Sequence, residues 1–184
     1  MSQSANNSQK HTSTNTLTNT PANTSTNHAL DDVLEFHWMM DMLQTVDVGI
    51  VVLDRDFHIH MWNDFMESHS GLKAADAKGQ SLFSVNPNIN PAWFAQKTKT
   101  VFDLKIRSFM TWEQRSYLFK FANYRPITGT EDFMYQNVAI SPLTSATGKV
   151  DFISLMIYDT TDKAAAKKQL EALQVHVDEA NELN

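Results

Sequence analysis

The residues best suited to chemistry are three histidines within one short stretch, DVGIVVLDRDFHIHMWNDFMESHSGL at 47–72. His58 and His60 lie two positions apart on a predicted strand, so their side chains should share one face, and His69 follows soon afterwards. Three imidazoles could bind zinc or haem iron, but this spacing alone is a weak signal for a metal. The opposite face of the strand is predicted to enter the core, and it carries Phe57, Ile59 and Met61. We therefore interpret the histidine pair as incidental and predict no metal site.

Other catalytic chemistry finds little support in the composition. The chain has no cysteine, which excludes disulfides, thiol nucleophiles, cysteine-ligated metals and cysteine–flavin photochemistry. Its glycines fall at predicted turns or strand entries, and they form no glycine-rich phosphate loop. Glu113 and Arg115 are spaced to share a strand face, but such a pair is most often a solvated ion pair. We predict that this chain is not itself an enzyme.

A set of aromatic side chains with a few polar groups is typical of a small-molecule cavity. These candidate pocket residues are Trp93, Phe94, Phe102, Trp112, Tyr117, Phe119, Tyr135 and Asn137. Tyr135 and Asn137 fall on one face of a predicted strand, and polar groups on a covered face need partners, so we predict that they orient a ligand. The same aromatic residues could instead fill a packed core, and the sequence leaves both alternatives open.

The elements that must position these residues begin with a hairpin. The runs Val48–Leu53 and Phe57–Trp62 are predicted strands, joined by a turn at Asp54–Asp56. Asn63 then suits a helix N-cap, because its side-chain oxygen can accept from free backbone N–H groups. Gly71 is predicted to end that short helix in the left-handed conformation.

One longer helix and three further strands follow. The helix is predicted over AWFAQKTKTVFDLKI, with Phe94, Thr98, Val101 and Lys105 on one side. The predicted strands are Arg107–Phe121, Phe133–Leu143 and Val150–Tyr158. Apolar residues occupy both faces of the last two strands, which predicts that both faces of the sheet are covered.

The two ends of the chain differ from this middle part. Residues 1–28 are rich in Ser, Thr and Asn, which predicts a disordered tail, because such a segment has little to bury. Residues 29–45 are predicted to form a helix, and residues 161–184 a second helix with a short coiled-coil seam. The alternative for the second helix is that it folds back on the domain. The predicted dimer contacts are Val33, Phe36, Met40, Leu43, Leu170, Leu173 and Val177.

Length and charge narrow the class of protein further. A chain of 184 residues suits one domain with flanking pieces. The formal net charge of −6 would repel a phosphate backbone, so no nucleic-acid partner is predicted. No apolar run approaches the ~18–20 residues that cross a bilayer, and the N-terminus lacks the apolar region of a secretory signal. We expect a cytoplasmic protein without a membrane partner.

Three stretches resemble the PAS domain family over about residues 35–162. GIVVLDRDFHIHMWNDFMESHSGL is similar to the opening hairpin of the family, with its Asn and its Gly-terminated helix. AKGQSLF is similar to the family's iGk-s-l stretch, and IYDTTDKAAAKKQLEAL to its closing strand and signalling helix. The resemblance implies an α+β fold in which helices cup a pocket against one face of a five-stranded antiparallel sheet. It also implies a sensory domain at 46–160, whose junction with the exit helix is Asp159 with Thr161, or with Thr160 if the spacing shifts by one.

The resemblance further implies a module that binds haem, flavin, a small organic molecule or nothing, and that passes a signal to a downstream effector, often as a homodimer. No histidine lies between His69 and His176, which argues against haem, and the missing cysteine argues against flavin, so the cofactor stays unknown. TWEQRSYLFKFANYRPITG resembles modules that precede bacterial diguanylate cyclases. The alternatives are a ligand-free dimerisation domain, or the regulatory part of such a cyclase.

Overall fold

The computed structural model describes residues 23–124 and 131–182. The chain divides into two units, Met1–Trp38 and Met39–Asn184, and the second unit contains the whole sheet. Helix α1 (Asn23–Thr45) begins earlier than the boundary predicted at residue 29. Of the predicted tail, residues 1–22 lie outside the described residues, and residues 23–28 belong to this helix.

A five-stranded antiparallel sheet forms the centre of the second unit, with strand order β2-β1-β5-β4-β3. The strands are β1 (Gly49–Asp54), β2 (Ile59–Trp62), β3 (Ser108–Met110), β4 (Gln136–Thr144) and β5 (Val150–Asp159). The first and last strands of the chain pair with each other in the middle of the sheet. This architecture confirms the predicted α+β class and its five-stranded antiparallel sheet.

Three short helices and one longer helix connect β2 to β3, and a long helix follows β5. They are α2 (Asp64–Ser70), α3 (Ala74–Ala77), α4 (Leu82–Val85), α5 (Pro91–Leu104) and α6 (Thr161–Glu182). The Asn63 side chain caps α2, and Gly71 ends it with φ of 74°, so both predicted helix boundaries are confirmed. Among the described residues, no helix is long and apolar enough to span a membrane.

The core lies between one face of the sheet and the connecting helices. The central strands supply Val51, Leu53, Ile153, Leu155 and Ile157, all with no exposed surface. Helix α5 supplies Phe94, Thr98 and Val101, the predicted stripe, whereas Lys105 lies beyond the helix in the left-handed conformation. Each fully buried aliphatic or aromatic side chain contributes about 1.5–3 kcal/mol, so this face accounts for most of the stability.

A β-bulge in the first hairpin changes which side chains enter the core. Leu53 pairs with Ile59 and Val52 with Met61, so His60 is the extra residue between the two pairs. Because a bulge reverses the alternation of the strand, Ile59 and Trp62 are both buried, whereas Met61 falls on the opposite face. The prediction that Met61 shares a core face with Ile59 is therefore wrong.

The predicted strand Arg107–Phe121 is also wrong for most of its length. Among the described residues of this run, Ser108–Met110 forms the strand. The chain then turns, because the backbone N–H groups of Gln114 and Arg115 donate to the Thr111 carbonyl at 3.0 and 3.1 Å. The following strand was predicted from Phe133, and it begins at Gln136.

The second face of the sheet, here called the outer face, is not fully covered within the described residues. Cross-strand pairing places Phe109, Ala139, Met156 and Ile50 in one row across this face. Phe109 is 57% exposed, and Phe152 and Tyr158 on the same face are 37% and 38% exposed. The expectation that both faces are covered is therefore not met by the described part of a single chain.

Candidate functional site

The candidate pocket residues do not line a single cavity. The group on α5 packs around Phe57, whose ring lies 5.3 Å from the ring of Phe94 and 6.4 Å from that of Phe102. Phe94 has no exposed surface and Trp93 is half-buried, with the guanidinium of Arg115 lying 4.6 Å from the centre of the Trp93 ring. Phe94 therefore acts as a core residue, which was one of the two alternatives left open by the sequence.

A surface groove of about 400 Å³ runs beside this group. Arg55, Phe57, Gln96, Lys99 and Phe102 are among its lining residues. The Arg55 guanidinium lies 4.9 Å from the centre of the Phe102 ring and donates to the Val150 carbonyl at 2.7 Å. The groove thus offers an aromatic wall and a fixed cation, and Phe102 is the predicted pocket residue that lines it.

Tyr117 and Phe119 lie in the irregular stretch 111–121 that follows β3. Phe119 is buried, with its ring 5.8 Å from that of Trp62, and Tyr117 is half-buried with its ring 6.2 Å from that of Phe133. They therefore belong to different surroundings from the α5 group.

Gln136 holds this irregular stretch to the sheet, and sequence reasoning missed it. Its side-chain oxygen accepts from the backbone N–H groups of Leu118 and Phe119, both at 3.0 Å, and its side-chain nitrogen donates to the Phe119 carbonyl at 2.7 Å. Gln136 has no exposed surface. Its position in the strand could have revealed it, because Gln136 alternates with the buried residues Val138 and Ile140 on one face of β4.

Tyr135 and Asn137 have the opposite parity to Gln136, and Asn137 pairs with Tyr158 of the outer face; their role in orienting a ligand stays a prediction. The Asn137 side-chain oxygen accepts from the backbone N–H of Trp112 at 2.9 Å. The Tyr135 hydroxyl donates to Glu131 Oε2 at 2.9 Å, and its ring packs edge-on against Trp112 at 5.6 Å. Trp112, Tyr135 and Asn137 therefore form a group of their own.

Asn137 also lines a groove of about 470 Å³ on the outer face, next to the start of α6. Phe109 and Tyr158 supply apolar surface there, and Arg107 and Lys163 supply positive charge. Two of the predicted junction residues, Asp159 and Thr160, line the same groove.

The junction between β5 and α6 is tied by side-chain hydrogen bonds. Asp159 Oδ1 accepts from the backbone N–H of Thr161 at 2.9 Å and from its hydroxyl at 2.6 Å. The Tyr135 backbone N–H donates to the Thr161 hydroxyl at 3.0 Å, and the Tyr135 carbonyl accepts from the Thr160 N–H at 2.8 Å. The structure therefore brings together all three predicted junction residues and fixes the direction in which α6 leaves the sheet.

One turn further along α6, two lysines reach back to the domain. Lys167 pairs with Glu113, and its Nζ lies 5.6 Å from the centre of the Trp112 ring. Lys168 Nζ lies 2.9 Å from Glu131 Oε1 and also bonds the Tyr135 hydroxyl. We call these side chains the lysine clasp: Lys167, Lys168, Glu113, Glu131 and Tyr135.

Hydrogen bonding within the clasp shifts the pKa of Lys168 and of Glu131. Hydrogen bonds to Tyr135 and Glu131 raise the pKa of Lys168 above its ordinary value. The hydrogen bond from Lys168 lowers the pKa of Glu131, although burial acts in the opposite direction. Both shifts favour the charged forms, as expected for a lysine paired with a carboxylate.

The histidine pair converges on one carboxylate. His60 Nε2 lies 3.0 Å from Asp54 Oδ2, and His58 Nδ1 lies 3.6 Å from Asp54 Oδ1. Asp54 Oδ1 also accepts from the backbone N–H groups of Asp56 and His58, both at 2.9 Å, which is the geometry of a hairpin turn. His69 lies elsewhere, with its Nδ1 2.8 Å from the Phe65 carbonyl.

We predict that Asp54→Asn destabilises the protein modestly at pH 7 and that the difference from wild type disappears in acid. Burial raises the pKa of Asp54, but hydrogen bonds from His60 and the turn outweigh it, so the pKa lies below its ordinary value of 3.8. A lowered pKa contributes stability that is fully present above 3.8 and is lost as the pH falls through the folded-state value. Urea unfolding of both proteins between pH 7 and pH 2.5 measures this. A difference that stays constant over that range would contradict the prediction.

The family model and the solved structures that match this chain agree on one fold. The family model described as PAS fold matches residues 39–160. A sensory box sensor histidine kinase from Vibrio cholerae is 22% identical, with 74% of this chain and 98% of that chain covered and a TM-score of 0.50. The PAS domain of Bordetella pertussis BvgS is 18% identical, with 79% and 98% covered and a TM-score of 0.51. A PAS domain from Colwellia psychrerythraea is 14% identical, with 70% and 98% covered and a TM-score of 0.51. The comparison with curated proteins found no match.

Proposed function

Because this chain belongs to the PAS fold family, we propose that it is a sensory module that forms a homodimer and passes a signal to a downstream effector through α6. The observation that carries the proposal is the course of α6. The helix continues directly from the central strand β5, its first turn is tied down by Thr160 and Thr161, and its later apolar residues face solvent.

The exposed residues of α6 have the spacing of a helix pair. Leu170, Leu173 and Val177 are 68%, 62% and 53% exposed, and they recur at three- and four-residue intervals. Leaving such side chains in water is unfavourable, whereas a second helix would bury them as a seam. A seam of this length is marginal by itself, so the dimer needs additional contacts.

Helix α1 supplies a second unpartnered apolar surface. Val33 and Phe36 are 64% and 61% exposed, and Leu43 is 39% exposed. Met40 of the same predicted stripe is half-buried. Together with the exposed residues of the outer face, these side chains support an interface in which both ends of the chain contribute.

A small organic ligand would give the module its input. The groove beside α5 supports this part of the proposal, because it combines the Phe57 and Phe102 rings with the fixed Arg55 cation. The aromatic packing around Phe94 supports the ligand-free alternative, in which the domain serves dimerisation alone. Native mass spectrometry of the purified protein distinguishes the two, since a co-purified molecule would add mass to each protomer.

Sedimentation of surface variants tests the dimer. Leu173→Glu should weaken it, and Leu173→Glu with Phe36→Glu should abolish it, because burying an unpaired carboxylate in an apolar seam is strongly unfavourable. Val175→Glu is the matched control, because Val175 is 55% exposed but lies on the opposite side of α6 from the seam. Circular dichroism verifies folding. A folded double variant that still sediments as a dimer would place the interface elsewhere and refute the proposed output route.

A further inference from the structure

We propose that the lysine clasp is a releasable latch that couples the 111–121 stretch to α6, so that a displacement of this stretch frees the second turn of the exit helix. The inference rests on the proposed function, in which α6 carries the output. It assigns the coupling to particular side chains: Lys167 and Lys168 on the helix, and Glu113, Glu131 and Tyr135 on the domain.

The 111–121 stretch is held to the sheet largely by side chains, beside the backbone bond from the Gln136 N–H of β4 to the Ser116 carbonyl at 2.9 Å. Its backbone groups at Leu118 and Phe119 bond the side chains of Gln136 and Asn86 rather than a neighbouring strand. Side-chain bonds of this kind hold a segment in place without making it part of the sheet ladder.

The same stretch contacts both the interior and the helix. On one side, the ring of Phe119 packs against Trp62, and Arg115 lies over Trp93 of α5. On the other side, Glu113 pairs with Lys167, and Trp112 packs against Tyr135 beneath Lys168. A change in the packing around α5 would therefore reach α6 through a continuous set of contacts.

The clasp lies where α6 passes from residues packed against the domain to residues exposed to solvent. Ala164, before it, has no exposed surface, whereas Leu170, after it, is 68% exposed. The Lys167–Glu113 pair is accessible, with side-chain exposures of 49% and 51%, and in the second pair Lys168 is 43% exposed and Glu131 18%. Ion pairs in such surroundings are weak, which suits a contact that opens and closes reversibly.

Hydrogen exchange by mass spectrometry on the full chain tests the latch. Lys167→Met with Lys168→Met should accelerate exchange at residues 165–172 by roughly five- to thirtyfold, and leave β5 unchanged. Lys163→Met is the matched control, because this lysine of α6 forms no ion pair within residues 23–124 and 131–182. Lys167→Arg with Lys168→Arg keeps the charges and should preserve slow exchange. If the methionine variant fails to fold, Glu113→Gln with Glu131→Gln breaks the same pairs from the other side.

A second experiment tests whether the 111–121 stretch acts on α6 through the clasp. Arg115→Met removes the contact between the 111–121 stretch and Trp93, and it should accelerate exchange in α6 while the clasp is intact. Once the clasp lysines are methionines, Arg115→Met should add nothing further at residues 165–172. Unchanged exchange in the clasp variant, or an additive effect of Arg115→Met, would overturn the latch.

The same measurements are made in the Leu173→Glu, Phe36→Glu background, where the proposed seam cannot slow exchange in α6. Loss of protection there on breaking the clasp supports the latch even if the sedimentation experiment rejects the proposed dimer. If the sedimentation experiment supports the proposed dimer but breaking the clasp leaves hydrogen exchange in α6 unchanged, the latch is rejected and the proposed function is kept.

Discussion

Replacing Asn63 with alanine should lower the free energy of unfolding by about 3–5 kcal/mol. Its side-chain oxygen accepts from the backbone N–H groups of Ile50 and Met66 at 2.9 and 3.4 Å. Its side-chain nitrogen donates to the carbonyls of Leu43 and Val48 at 3.1 and 2.8 Å. Asn63 has no exposed surface, so alanine would leave backbone groups of three elements without this partner, and the bonds to Ile50 and Met66 are fully buried. This one amide thus joins the end of α1, the start of β1 and the first turn of α2.

Two further variants make this prediction specific. Asn63→Asp keeps the acceptor but places a second carboxylate oxygen against two carbonyls, so it should be at least as damaging as alanine. Asn90→Ala is the matched control, because Asn90 caps α5 from an exposed position with a single bond to the Trp93 N–H at 2.9 Å. It should cost about 1 kcal/mol. Urea unfolding measures all three, and equal losses for Asn63→Ala and Asn90→Ala would contradict the assigned role.

Gln136→Leu should lower the free energy of unfolding by about 2–4 kcal/mol. Leucine is similar in size, so the loss would come from the N–H groups of Leu118 and Phe119 and the carbonyl of Phe119, which the glutamine amide satisfies at 2.7–3.0 Å. Exchange in the 111–121 stretch should rise more than exchange in the central strands. Gln80→Leu is the control, because Gln80 is exposed and should change stability by less than about 0.5 kcal/mol.

Gln136→Glu separates lost hydrogen bonds from lost packing. A protonated carboxyl can both accept from the two N–H groups and donate to the Phe119 carbonyl, whereas a carboxylate can only accept. Burial would raise the pKa of this new carboxyl, so the variant should approach wild-type stability in acid and lose stability as the pH rises. A variant whose deficit is the same at pH 4 and pH 7 would show that the hydrogen bonds at this position are not decisive.

Local signals explain why the first hairpin could be predicted from sequence. The Asp54 turn, the Asn63 cap and the Gly71 end each depend on neighbours a few residues away, and the structure confirms the cap and the end. The bulge at His60 could not be predicted, since it depends on pairing with β1 across the hairpin. A single extra residue then moves Met61 to the outer face.

The region after β3 shows more clearly which features could not be predicted from the sequence. The sequence predicted one strand over Arg107–Phe121, but the backbone of Leu118 and Phe119 bonds Gln136 and Asn86, which lie far away in the sequence. The strand predicted from Phe133 begins at Gln136, and a ligand-orienting role was predicted for Tyr135 and Asn137 but not for the buried Gln136 between them. Because aromatic residues suit a cavity and a core equally well, their type could not show that Phe94 belongs to the core.

The most direct test of the account is an intermolecular distance between the two copies of α6. The chain has no cysteine, so Gln169→Cys or Val175→Cys introduces one attachment site for a spin label per protomer. A parallel, in-register pair should give a single distance below about 30 Å at both sites, because packed helices lie about 8–10 Å apart. Dipolar spectroscopy measures this in solution. The absence of intermolecular coupling, or a distance above about 30 Å at either site, would contradict the proposed signalling dimer.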